Sequence, residues 1–187
     1  MPSATWPVHI DADHLYFITT RAVQWAHVFR RPVIKRILVD SLNVARILGQ
    51  IELYAFVLMP NHVHLIVRCL GDYTPPDVVR EFKKATANLI LRQYEAEGDQ
   101  RAIDFFAAAV QPGQKQEHAV WESEYQAKNV FSPDFLRQKL TYVHENPIQP
   151  HWRLAEAPEA YPWSSARFYL AGKRALIPLS DARELLV

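Results

Sequence analysis

Tyr54-Ala-Phe-Val-Leu-Met-Pro-Asn-His-Val-His-Leu-Ile-Val-Arg68 consists of two apolar runs joined at Pro60-Asn61. Proline suits the first central position of a tight turn and asparagine tolerates the second, so the runs form an antiparallel hairpin. Side chains alternate faces along a strand, which puts His62 and His64 side by side on one face and turns Val63, Leu65 and Val67 to the other. Two neighbouring imidazoles are a ready pair of ligands. Taken alone, a His-x-His strand fits equally a pair of hydrogen-bonded structural histidines.

Working outward, Leu15 to Thr20 is rich in aromatic and β-branched residues and reads as a first strand. From Pro32 to Leu48 the apolar positions recur at spacings of three and four, with Gly49 beyond as a C-cap, which predicts a helix. Ile51 to Met59 and His62 to Leu70 are the arms of the hairpin. After it, Thr74 as N-cap and Pro75 at the first helical position open a second helix, with Val78, Val79, Phe82, Leu89 and Ile90 on one side. Gly98 to Glu117 has no clear period and reads as a loop or partly helical excursion. Val120 to Ala127 reads as a strand. Ser132-Pro133-Asp134 then starts a helix that runs to about Asn146, where Pro147 stops it.

The order β-α-β-β-α-β predicts an α+β chain: a ferredoxin-like antiparallel sheet with helices packed on it, and the last helix as a C-terminal addition. A chain of 187 residues, 49% hydrophobic and 22% charged, suits one domain over residues 1–187, with a core of about 15–147 and a tail of 148–187. The net charge of +1 excludes a general polycation, so any nucleic-acid surface must come from local clustering of Lys and Arg. One cysteine, Cys69, excludes an intramolecular disulfide and suits a reducing compartment. With no basic and apolar leader and no apolar run of about 20 residues, the expected location is the cytoplasm, with no membrane contact.

On the last helix, Leu136, Leu140 and Val143 form an apolar stripe, and Tyr142 and Asn146, four apart, share a flank of it. If that flank lies over the His62 and His64 strand, two imidazoles, one amide oxygen and one phenol meet in one place. His144 and Glu145 face elsewhere, toward solvent or around the site. Asn146 before Pro147 also fits a helix-ending residue, and Tyr142 alone a half-buried packing residue.

The chain resembles the REP-associated tyrosine transposases, within the single-tyrosine HUH transposase superfamily. The resemblance rests on F-I-T-T-R (17–21), the hairpin, E-F-K-K-A-T (81–86), W-E-S-E-Y (121–125), Y-V-H-E-N-P (142–147) and Y-P-W-S-S (161–165). It implies a ferredoxin-like nuclease in which His62 and His64 bind a divalent metal, Mg2+ or Mn2+, with Asn146 as a further ligand. It also implies that Tyr142 attacks single-stranded, hairpin-containing DNA, leaving a 5′-phosphotyrosine and a free 3′-hydroxyl. The function it implies is a transposase-like strand transferase working as a monomer or homodimer; an inactive nucleic-acid-binding regulator and a hydrolase with a water nucleophile are the alternatives.

The residue types suit that chemistry. A phenol with a pKa near ~10 is a poor nucleophile at neutral pH and needs a cation at the scissile phosphate. A phosphotyrosine link conserves the phosphodiester's energy, in keeping with the lack of a G-x-x-x-x-G-K loop. Imidazole ligands favour manganese over magnesium, which prefers oxygen. Lys83 and Lys84 on the second helix, with Arg30, Arg31, Lys35 and Arg36 at the first, are the candidate DNA-backbone contacts, although Lys83 and Lys84 also fit a solvated helix face. Trp121 and Trp163 are candidate stacking residues, and Y-P-W-S-S also fits a packing lid. Two segments depart from the family pattern, Gln126-Ala-Lys-Asn129 and Ile148-Gln-Pro-His-Trp152.

Overall fold

The computed structural model describes residues 14–186. Its elements are β1 (Leu15–Ala22), α1 (Pro32–Ile47), β2 (Ile51–Leu58), β3 (His62–Cys69), α2 (Pro75–Ala96), α3 (Gln100–Ala108), β4 (Trp121–Val130), α4 (Pro133–Glu145) and α5 (Ala166–Ala171), with short 3-10 turns between them. The strands form one sheet in the order β2-β3-β1-β4, and every neighbouring pair is antiparallel. This is the ferredoxin-like α+β arrangement, with α4 as the added helix. No described helix is long and apolar enough to cross a membrane.

The sheet's two faces are covered differently. Tyr16, Ile18, Leu53, Phe56, Val63, Leu65 and Val67 pack with the buried stripes of α1 (Ile34, Leu38, Leu42) and α2 (Val78, Val79, Phe82, Ile90). Phe17, Ile66 and Val57 pack on the opposite face with Leu136, Leu140 and Val143 of α4 and with the tail residue Tyr161. His62 and His64 alternate with Val63 and Leu65, so they lie on the α4 face. The two-residue turn between β2 and β3 is clasped from outside: Ala22 N donates to Asn61 O at 2.8 Å and Phe29 N to Pro60 O at 2.8 Å.

Helix starts follow local chemistry. Thr74 and Asp77 make a capping box at α2, and Ser132 Oγ accepts from Phe135 N at 3.2 Å at α4. The structure sharpens three sequence expectations. The excursion after Gly98 contains a nine-residue helix, α3, capped by Asp99, whose side chain accepts from Ala102 N at 3.1 Å. β4 continues to Val130, because pairing with β1 supplies bonds that local propensity does not. α4 ends at Glu145 with Asn146 as its C-cap, as expected ahead of Pro147, and the chain goes on as a 3-10 turn over Asn146–Ile148 in which the proline takes an early position that needs no N–H.

The tail covers the open edge of β2. Leu58 N donates to Trp163 O at 2.9 Å, Ser165 N to Phe56 O at 2.9 Å, and Tyr161 Oη to Leu58 O at 2.8 Å. An uncovered edge would invite pairing with other chains. His144, expected outside the core, is buried and sits 2.9 Å from Ser165 Oγ, tying α4 to this tail.

Candidate active site

The floor of the site is set by strand register. Arg21 stands opposite His62, Thr19 opposite His64 and Phe17 opposite Ile66, so Phe17, Thr19 and Arg21 share the histidines' face. On the other side of β1, Thr19 pairs with Gln126 and Phe17 with Lys128. α4 crosses this floor and brings the Tyr142 ring to 5.1 Å from His64 and 5.9 Å from Phe17, both edge-on. His62 and His64 are 4.7 Å apart, ring to ring, and Phe17 stacks on His64 at 5.3 Å. The result is a cleft of about 720 Å³ that holds His62, His64, Tyr142 and Asn146 together. Tyr142 is 47% exposed, so its ring is packed at the base while much of the residue stays accessible.

Hydrogen bonding selects the tautomer of each histidine. Asn61 Nδ2 donates to the Trp25 carbonyl at 3.2 Å, which turns Asn61 Oδ1 toward His62 Nδ1 at 2.7 Å. An amide oxygen only accepts, so His62 Nδ1 carries the hydrogen and its Nε2 keeps a lone pair. Thr19 Oγ1 lies 2.8 Å from His64 Nδ1 and is able to accept in the same way. Burial draws the pKa of His62 down to about 4; the Asn146 side chain opposes that shift, and the nearby Arg21 guanidinium adds to it. Burial draws His64 down to about 3, helped by His62 and Lys139. Both rings are therefore neutral at neutral pH.

His64 Nε2 and Asn146 Oδ1 are buried without a hydrogen-bond partner. Asn146 lies close enough to His62 to affect its protonation, yet its oxygen makes no hydrogen bond of ordinary geometry. Each such atom costs about 1–3 kcal/mol when left unpaired, which favours a ligand able to use it. Asn146 has helical backbone angles (φ −52, ψ −44), not the left-handed conformation of an asparagine C-cap. Two neutral imidazoles and an amide oxygen fit a divalent cation. No group of three or more His, Cys, Asp or Glu able to hold a metal occurs among the described residues.

None of the six basic residues picked from sequence lines this cleft. Arg31 is held by Glu97 in a two-pronged pair at 2.7 Å and 2.7 Å. Lys35 is buried under the Tyr161 and Trp163 rings, and burial draws its pKa down to about 8. Lys83 Nζ donates to the carbonyls of Glu122, Ser123 and Glu124 at 2.8, 3.2 and 3.1 Å. Arg30, Arg36 and Lys84 are exposed. Lys83 and Lys84 border a separate cleft between α2 and β4. The reason is topological: α1 and α2 cover the sheet face opposite the histidines.

Of the tryptophans expected to stack on bases, Trp121 is buried and donates through Nε1 to Thr86 Oγ1 at 3.0 Å, and Trp163, in the tail, is partly buried against the core. Arg21, Trp25, Lys128, Lys139 and Trp152 surround the cleft instead. The signal for Arg21 and Thr19 was available in sequence, since both alternate with Phe17 in F-I-T-T-R. Trp152, Gln149 and His151 belong to the segment that departs from the family pattern, and it forms one wall.

Known proteins share this geometry's framework. One solved structure with the same fold is a REP-associated tyrosine transposase bound to a REP hairpin; the two are 17% identical, with a TM-score of 0.63 over 94% of this chain and 91% of that one. A putative transposase from Deinococcus radiodurans is 23% identical over 78% of this chain and 97% of that one, with a TM-score of 0.44. No curated protein matches the chain. The family model described as "Transposase IS200 like" matches residues 13–146, well over half of the sequence, and the chain belongs to that family of transposases.

Proposed function

We propose that this transposase cuts and rejoins single-stranded, hairpin-containing DNA with Tyr142 as nucleophile. The observation that carries the proposal is the meeting of Tyr142, His62, His64 and Asn146, from two distant elements, at one cleft. Tyr142 Oη attacks the scissile phosphorus and loses its proton; the bond from phosphorus to the 3′ oxygen of the departing strand breaks. The other fragment's 5′ phosphate stays on the tyrosine, and the departing 3′ oxygen takes up a proton to leave as a 3′-hydroxyl that later reverses the step. His62, His64 and Asn146 would hold a divalent ion, magnesium or manganese, which would supply a Lewis acid for the charge that builds on the phosphate oxygens.

The chain's own residues do the rest. Phe17 stacks on the His64 ring and packs nearly at right angles against that of Tyr142. Lys139 lies with its ammonium 5.5 Å from the centre of the Tyr142 ring and 4.8 Å from that of Phe17, and burial lowers its pKa. With Arg21 and Lys128 it gives the cleft the positive charge that a DNA backbone needs. The whole chain, tail included, acts as one domain, and the work belongs in the cytoplasm.

The test is covalent capture. The protein is incubated with manganese and 3′-end-labelled single-stranded hairpin DNA, and the products are run on a denaturing gel. Wild type is expected to shift labelled DNA to the size of the protein, and Tyr142→Phe is not. An adduct formed by the variant defeats the nucleophile assignment, and nicked DNA without attached protein points to a water nucleophile.

A further inference from the structure

The turn after β1 carries two consecutive non-glycine residues in the left-handed region, Gln24 (φ 52) and Trp25 (φ 56). Each costs about 1–3 kcal/mol and persists only where the surroundings impose it. Asn61 supplies the constraint: its amide holds the Trp25 carbonyl at 3.2 Å, while Gln24 N donates to Glu122 Oε1 at 2.6 Å. Held this way, the Trp25 side chain is 54% exposed at the rim of the cleft instead of buried, an unfavourable place for the largest apolar side chain. The Arg21 guanidinium lies 4.5 Å from the centre of its ring. Across the same cleft Trp152 packs against His62 at 5.7 Å between ring centres.

We infer that Trp25, backed by Arg21, is a stacking platform for an unpaired nucleobase next to the scissile phosphate. The inference rests on the proposed action on single-stranded DNA and assigns a subsite within it. An aromatic face takes any base, and a guanidinium behind it adds a positive charge that suits a nearby phosphate. Arg21 stands opposite His62 in the β1–β3 register, so the base held by Trp25 belongs to a nucleotide within reach of the histidine pair. The same Asn61 amide that sets the His62 tautomer fixes Trp25, which couples the base platform to the ring beside the phosphate.

The test compares two strands of equal charge. Fluorescence anisotropy is measured for a twelve-residue oligothymidylate and for a strand of twelve abasic residues, in low salt with a chelator. The protein carries Tyr142→Phe so that no covalent step contributes. The parent is expected to prefer the base-bearing strand. Trp25→Ala is expected to lose about 10-fold in affinity for the thymidylate strand and little for the abasic one, while Trp25→Phe keeps most of the preference. Equal losses on both strands, an unchanged preference in Trp25→Ala, or a parent that binds both strands alike overturns the platform. Absence of the covalent adduct in wild type, with the preference intact, defeats the proposed chemistry and leaves the platform standing.

Discussion

Replacing Lys83 with methionine keeps the aliphatic stem and removes the ammonium. In the β1–β4 ladder Ala22 pairs with Trp121 and Thr20 with Tyr125, so two extra residues are looped out of β4 between these pairs. The carbonyls of Glu122, Ser123 and Glu124 fall in this bulge, and Lys83 collects all three. Only the bond to Glu122 O is partly buried, so its loss costs a full charge-assisted hydrogen bond, about 1.5–3 kcal/mol. The other two carbonyls turn to water at little cost. Burial works against the ammonium, drawing its pKa down to about 8, and its removal returns part of the loss. The net expectation is about 2 kcal/mol, or a fall of about 4–8 °C in melting temperature for a chain of this size. Chemical denaturation and thermal melting measure this, and anisotropy at several salt concentrations measures hairpin binding. The salt slope should be unchanged. A variant that melts like wild type but binds with a slope reduced by about 1 would make Lys83 a phosphate contact and refute the reasoning.

Other outcomes are equally checkable. Tyr142→Phe should abolish the covalent adduct yet shift the melting temperature by no more than about 2 °C, because the residue is half exposed and surface changes fall within about 0.5 kcal/mol. Manganese at a hundredfold excess over its dissociation constant should stabilise the protein by about 2.7 kcal/mol, an effect that His64→Ala or Asn146→Ala should greatly weaken; equal stabilisation of both variants would place the ion elsewhere. His144 has a pKa of about 4 when folded, lowered by burial, against about 6.5 when unfolded. The unfolded chain binds the extra proton between those values, so stability falls as pH drops from 6.5 to 4, by up to about 1.4 kcal/mol per unit for this residue. A His144→Phe variant should show a shallower acid profile in denaturation experiments from pH 7 to 4. Lys128→Ala and Lys139→Ala should weaken hairpin binding and lower its salt slope, whereas Lys35→Met, at a buried site on the opposite sheet face, should not change that slope.

The elements and the central hairpin were legible in the chain itself, since Pro60-Asn61, the Thr74-Pro75 start and the Ser132-Pro133 start are local signals that survive into the fold. So were the two pairs, His62 with His64 and Tyr142 with Asn146, because spacings of two on a strand and four on a helix fix shared faces before any packing occurs. The DNA-facing residues were not legible. A lysine that turns inward and one that stays in solvent look alike in sequence; only the structure shows Lys35 and Lys83 facing inward and Lys84 outward. Trp121 and Trp25 likewise have no local mark that separates a buried indole from an exposed one.

Sequence alone thus determined the periodic features: strand alternation that pairs the imidazoles, and helical spacing that pairs Tyr142 with Asn146. Tertiary structure decided which face α4 covers, which histidine nitrogen keeps its lone pair, and which cations and indoles remain free for a ligand. The physical reason is that periodicity follows from backbone geometry within a few residues. Desolvation, tautomer choice and the capture of a lysine by distant carbonyls depend on groups that only folding brings together, such as Asn61 with Trp25 and Lys83 with Glu122.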